Sequence, residues 1–164
     1  MEQQFVTVFQ AFVVVHQRLN EQAAEKAQII KNGDIKALDE LIKKETPLIH
    51  QLRKLENTRQ QLVSNWLNER GIIADDVTMQ TIIPTFSDET QKKLNRLQEQ
   101  LVVEITTLKE QNEVNRSLLE DSLKFVNLSL DTFQPQNQFN DYSNGQAGDD
   151  DGPETGRSLF DSKA

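Results

Sequence analysis

Residues 88–133, DETQKKLNRLQEQLVVEITTLKEQNEVNRSLLEDSLKFVNLSLDTF, contain neither glycine nor proline, and their spacing decides the fold. Leu94, Leu97, Leu101, Ile105, Leu108, Asn112, Asn115, Leu119, Leu123, Val126, Leu130 and Phe133 recur by threes and fours. At about 100° per residue they fall in one stripe less than about a quarter of the circumference wide, which predicts a single long helix. Val114, Leu118, Phe125 and Leu128 lie on another side and occur only in its C-terminal half. A helix that needs one face for its own core has no structural use for a second apolar face unless something else packs there.

Upstream, Asp88 and Gln91 form a capping-box pattern that opens this helix. The connector before it, residues 71–87, is GIIADDVTMQTIIPTFS, apolar without a sustained period. It reads as a loop or short helix packed over one end of a bundle, ending at Pro84. Before the connector, Leu38, Leu41, Glu45, Leu48, Leu52, Leu55, Arg59, Leu62 and Trp66 keep three-four alternation up to Gly71. With Asp34 as cap, this predicts a second helix over about 34–70, kinked at Pro47 because the register runs unbroken across it. Phe5, Val8, Phe12, Val15, Leu19, Ala23 and Ile30 predict a first helix over about 3–31, stopped by Asn32-Gly33. Its Val and Phe content would also suit a strand, but no partner strand appears elsewhere.

Downstream, residues 134–164 turn rich in Gly, Asp, Asn and Gln and carry half of the net charge of −8. Such a segment cannot bury enough apolar surface to offset its ordering entropy, so a disordered acidic tail is expected. The chain is thus expected to be a helical domain over 1–133 followed by that tail. The fold class is all-α: an elongated antiparallel three-helix bundle or coiled coil with a long C-terminal helix. That helix should reach roughly 70 Å against roughly 55 Å for the second helix. The partner helices should give out near residue 125, leaving the end of the long helix uncovered. Three occupants suit the second face: a client protein, the first helix of the same chain, or a second copy. The oligomeric expectation is accordingly a monomer or weak dimer.

Composition removes several function classes. With no cysteine, there are no disulfides, thiolate nucleophiles or thiolate-held zinc, as suits a reducing compartment such as the cytoplasm. The run FVTVFQAFVVV lacks a basic flank and is broken by Gln10, so it reads neither as a signal peptide nor as a membrane span. The acidic balance and interleaved Lys and Arg argue against nucleic acid. No phosphate loop, nucleophile elbow or di-iron Glu-x-x-His pair is present, so no catalytic residue, cofactor or metal is expected. His16 and His50 stand alone, and Asp149, Asp150 and Asp151 read as solvated charge. Trp66 reads as packing. Glu45, Arg59, Asn112 and Asn115 occupy seam positions that fix register if they find partners. With the second and long helices antiparallel, Arg59 should face residues 98–104, and Glu45 should come near Asn112 or Asn115.

Two stretches in order, LIHQLRKLENTRQQL and then LKEQNEVNRSLL, resemble the FlgN-like flagellar export chaperones. The likeness rests on Leu55, Glu56 and Arg59, followed by Leu108, Asn112, Asn115, Leu118 and Leu119, and extends over most of residues 30–133. It implies an all-helical cytoplasmic chaperone that binds the terminal helices of the first and third hook-associated proteins and delivers them to the flagellar type III export gate. It places client binding on Val114, Leu118, Phe125 and Leu128, with Leu130 and Phe133. It also implies a gate-docking role for Tyr142 in Asp141-Tyr142-Ser143-Asn144-Gly145, although the turn proline often found there is missing. The competing reading is a self-associating coiled-coil adaptor with no export client.

Overall fold

The structure, a computed structural model, describes residues 1–72 and 77–133. Those residues form α1 (Glu2–Asn32), α2 (Ile35–Arg70), the single-turn α3 (Met79–Ile82) running into a 3-10 turn (Ile83–Thr85), and α4 (Asp88–Phe133). No strand occurs among them.

The centre of the fold is α1. Its first half buries Phe5, Val6, Val8, Phe9, Phe12, Val13 and Val15, an arc of about 180° at 100° per residue. One neighbouring helix covers only about 100° of such a surface. Accordingly α2 and α4 both pack along α1, on different sides of it, and make no close backbone approach to each other. The β-branched and aromatic residues that would also suit a strand are buried here by helices on two sides.

Chain direction follows from the contacts. Gly33 ends α1 in the left-handed region (φ 67°) and Gly71 ends α2 in the same way (φ 61°), conformations that cost glycine least. Asp34 caps α2, its Oδ1 accepting from the Ala37 N–H at 2.9 Å. The hairpin folds α2 antiparallel to α1, with Leu48 against Val15 and Leu19 and with Leu62 and Trp66 among the phenylalanines of α1. Pro47 sits inside α2, which remains one helix from Ile35 to Arg70. Pro47 and Lys43, whose carbonyl lacks its usual i+4 donor, both face solvent, where water can take that bond.

Between α2 and α4, the connector is driven inward by Ile82, Ile83 and Phe86, which join Phe5, Phe9, Leu62, Trp66 and Leu94 in one cluster. The Phe5 and Phe86 rings lie 5.4 Å apart. Pro84 lies within the 3-10 turn rather than ending the segment. The cap of α4 is Ser87, one residue before the expected one: its carbonyl accepts from Gln91 N at 2.9 Å. The Gln91 side chain instead donates to the Phe86 carbonyl at 2.8 Å. From α1, the Glu2 carboxylate accepts from both Ser87 N (3.1 Å) and Ser87 Oγ (2.8 Å), tying the starts of the two helices together.

From that tie α4 runs parallel to α1, and its packing register departs from the expected stripe. Between Leu94 and Leu118 the buried and half-buried residues are Leu94, Leu97, Gln98, Leu101, Glu104, Leu108, Gln111, Asn115 and Leu118. Ile105, Asn112 and Leu119, expected in the core stripe, are exposed. A seam that supercoils around α1 needs a 3.5-residue repeat, which moves the contact one position back from the expected stripe at Glu104, Gln111 and Leu118. The polar residues thereby brought inward meet polar groups of α1. Glu104 accepts from Gln17 Nε2 (3.1 Å) and Asn20 Nδ2 (2.7 Å), and Asn115, 3% exposed, donates to the Ala23 carbonyl at 2.8 Å.

The expected pairing of Glu45 with Asn112 or Asn115 does not form. Both α2 and α4 pack chiefly on α1, and Glu45 meets Lys26 of α1 at 2.6 Å. Arg59 likewise pairs within its own helix, donating to Glu56 through Nε (2.8 Å) and Nη2 (2.7 Å).

Two outcomes are expected. Lys26 and Glu45 are largely buried (18% and 14% exposed), so Lys26→Met should lower unfolding free energy by about 1–3 kcal/mol, between the values for exposed and fully buried pairs. The double variant with Glu45→Leu should recover part of that loss, as urea titrations of the four proteins of the cycle would measure. The Glu2 carboxyl is held below its ordinary 4.5 by hydrogen bonds from Thr90 and Ser87. A depressed carboxylate contributes stability that is present above its unfolded pKa and is lost as the pH falls through the folded one. Glu2→Gln should therefore flatten the acid side of the melting-temperature profile below pH 4.5 while leaving the neutral-to-alkaline side unchanged in slope.

Candidate functional site

The buried contacts of α4 end at Leu118, although the helix continues to Phe133. Because Asn115 already lies level with Ala23, only the last turns of α1 remain to accompany it. From Leu119 to Thr132 every residue is exposed except Ser129, which is half-buried. The exposed set includes Phe125 (72%), Leu128 (66%), Leu123 (63%), Val126 and Leu130. Six large apolar residues within twelve positions is more than a solvated helix end needs, and a contiguous apolar patch marks an interaction surface.

Around the helix this segment carries two tracks. Leu119, Leu123, Val126 and Leu130 fall within about 60° of one another, whereas Leu118, Val114, Phe125 and Leu128 fall within about 80° on a second side. Between the tracks, on the side that faces α1 lower down, stand Ser122 and Ser129. Their hydroxyls donate to their own helix, to the Leu118 carbonyl at 2.8 Å and the Phe125 carbonyl at 2.9 Å, which leaves small side chains with their donors already used. The other side is charged, with Arg116 paired to Glu120 at 3.0 Å, and from it Lys124 comes within 3.6 Å of Asp121, which stands in the second track beside Leu128.

Of the residues expected to bind a client, Val114, Phe125, Leu128 and Leu130 are exposed, and Leu118 is half-buried at the end of the α1 seam. Phe133 is the last residue of α4, and its side chain lies outside the described residues, as does Tyr142. The motif residues serve packing and charge. Leu55 packs against both apolar clusters, Leu108 against the one built on Val15, Leu19 and Leu48. The Arg59 guanidinium holds the Glu56 carboxyl below its ordinary range, its hydrogen bond outweighing the cost of partial burial. Asn115 is the buried polar residue of the α1–α4 seam, and Asn112 faces solvent.

Leu119, Leu123 and Val126 were expected in the core stripe and instead form the first exposed track. The signal that would have identified them is the relative height of the helices, which sequence periodicity does not contain. A groove of 680 Å³ at the other end, lined by Phe9, Gln80, Leu101, Val102 and Ile105 among others, has Glu99 as its sole ionisable group. The Phe12 carbonyl, 2.8 Å away, accepts from His16 Nδ1, and His50 is exposed on α2. Within the described residues no helix is long and apolar enough to cross a membrane.

Residues 1–147 match the family described as FlgN protein. Among curated proteins the chain is 31% identical over 153 residues to the uncharacterized protein YvyG of Bacillus subtilis strain 168, covering 92% of this chain and 91% of that protein. No solved structure matches the chain. With the family match running through the bundle, the long helix and the exposed end of α4, the chain belongs to the FlgN family of flagellar export chaperones.

Proposed function

We propose that this chaperone acts in the cytoplasm, holding the terminal amphipathic helices of the first and third hook-associated proteins on the exposed end of α4 before they are exported. The observation that carries the reading is the run from Leu119 to Leu130, apolar on two sides and uncovered by α1 or α2. An amphipathic client helix would lay its apolar stripe on that run in the helix-in-groove manner. While held, the client helices could not pair with one another. The helical domain over 1–133 supplies the rigid base, and residues 134–164 with Tyr142 would serve docking at the export gate. Release at the gate requires moderate affinity, limited by the entropy of ordering the client helix.

Replacing Phe125, Leu128 and Leu130 together by serine should weaken binding of purified hook-associated proteins by at least about a hundredfold, the loss expected for an interface dominated by a few apolar anchors. Because all three side chains face solvent, helicity and melting temperature should stay close to those of the unsubstituted protein. Titration calorimetry with clients that keep or lack their terminal helices reads both parts. Wild-type affinity in the variant would refute the site. A concentration-independent dimer that the same substitutions convert to a monomer would favour self-association through this surface.

A further inference from the structure

The exposed end of α4 carries more apolar circumference than one partner helix can cover. Counting from Phe125 through Ser129, Ser122, Val126 and Leu130 to Leu123, the arc is about 160° wide, interrupted only by two serines whose hydroxyls are bonded to their own helix; Leu128 lies about 60° further on, past Thr132 and Asp121. A docked helix covers about 100°. The molecule itself calibrates this comparison. The lower part of α4 presents one supercoiled seam and takes one helix, α1, at close backbone approach, whereas the first half of α1 presents an arc of about 180° and takes two, α2 and α4, whose backbones do not approach each other closely.

We propose that the end of α4 receives two amphipathic helices at once, one on each track, so that the chaperone holds a pair of client helices rather than a single one. This rests on the proposed client site. The first helix prolongs the track of α1: the seam through Leu108, Gln111, Asn115 and Leu118 continues in the same heptad register through Ser122, Phe125 and Ser129. The second lies on Leu119, Leu123, Val126 and Leu130, a flank that α1 leaves open. Continuity with the α1–α4 interface is what commits the first track to a helix and not to an extended segment. The serines between the tracks allow both helices to approach the α4 backbone closely. Each partner helix needs an apolar stripe of only about four turns, since the run from Leu119 to Thr132 is about 20 Å long.

The tracks can be separated by substitution. Leu123→Gln with Leu130→Gln removes one, and Phe125→Gln with Leu128→Gln removes the other; glutamine keeps helix propensity, and all four positions are exposed. The probe is the first hook-associated protein in four forms: intact, without its N-terminal helical segment, without its C-terminal one, and without both. Two sites predict that each double variant loses about tenfold or more toward one single-segment form and keeps its affinity for the other within about twofold. They also predict that the intact client binds more tightly than either single-segment form. If both double variants weaken the same segment while the other segment never binds, one helix spans the surface and the proposal fails. If no form binds the unsubstituted chaperone, the client site fails and this inference fails with it. If a second copy of the chain occupies one track, seen as a dimer by sedimentation that a double variant abolishes, the two-helix assignment is overturned.

Discussion

Everything in this fold depends on α1 being apolar over half its circumference. A helix with one apolar face needs one partner; α1 needs two, and the positions of α2, α4 and the connector follow from that requirement. Since α2 and α4 are placed by α1 rather than by each other, the space between them at the base has to be filled, and Ile82, Ile83 and Phe86 fill it. Polar groups obey the same constraint. Glu45, Glu104 and Asn115 all find their partners on α1, at Lys26, at Gln17 with Asn20, and at the Ala23 carbonyl. Each of these bonds would be lost or left buried and unpaired if a helix slid by one turn, so the polar contacts fix register while the apolar ones supply most of the stabilisation.

Helix positions were largely legible in the sequence. Gly33, Asp34 and Gly71 mark their ends by local chemistry, and the Leu-rich alternation of α2 survives Pro47 because Pro47 and Lys43 are exposed. The lateral arrangement was not legible in the same way. Periodicity gives the direction in which a helix is apolar but not which helix it faces, so a pairing of α2 with α4 was as consistent with the spacing as the observed packing on α1. The one-residue change of register at Glu104, Gln111 and Leu118 has the same origin. On α4 alone Ile105 is the better core residue; only the presence of Gln17 and Asn20 on α1, 84 to 87 residues away in sequence, makes Glu104 acceptable there.

For the proposed surface, the sequence grouping separated residues that the structure exposes together. Phe125 and Leu128 stood out because a second apolar face has no use inside a simple bundle. Leu119, Leu123 and Val126 did not, because they continue the apparent core stripe, and a stripe is read as buried for as long as its neighbours are assumed to extend beside it. The supercoiled register, which puts Leu118 rather than Leu119 against α1, and the end of α1 at Asn32 together turn those residues from core into surface.

The restraint on α4 also changes in kind along its length. Near Leu94 it is held by a closed apolar cluster, from Glu104 to Asn115 by hydrogen bonds to α1, and beyond Leu118, among the described residues, by bonds within α4 itself. Opening free energies in such a helix fall from base to tip instead of sharing one global value. A load applied at the tip would therefore fray the last turns before the force reached the cluster at the base, and the bundle below Leu118 would remain folded.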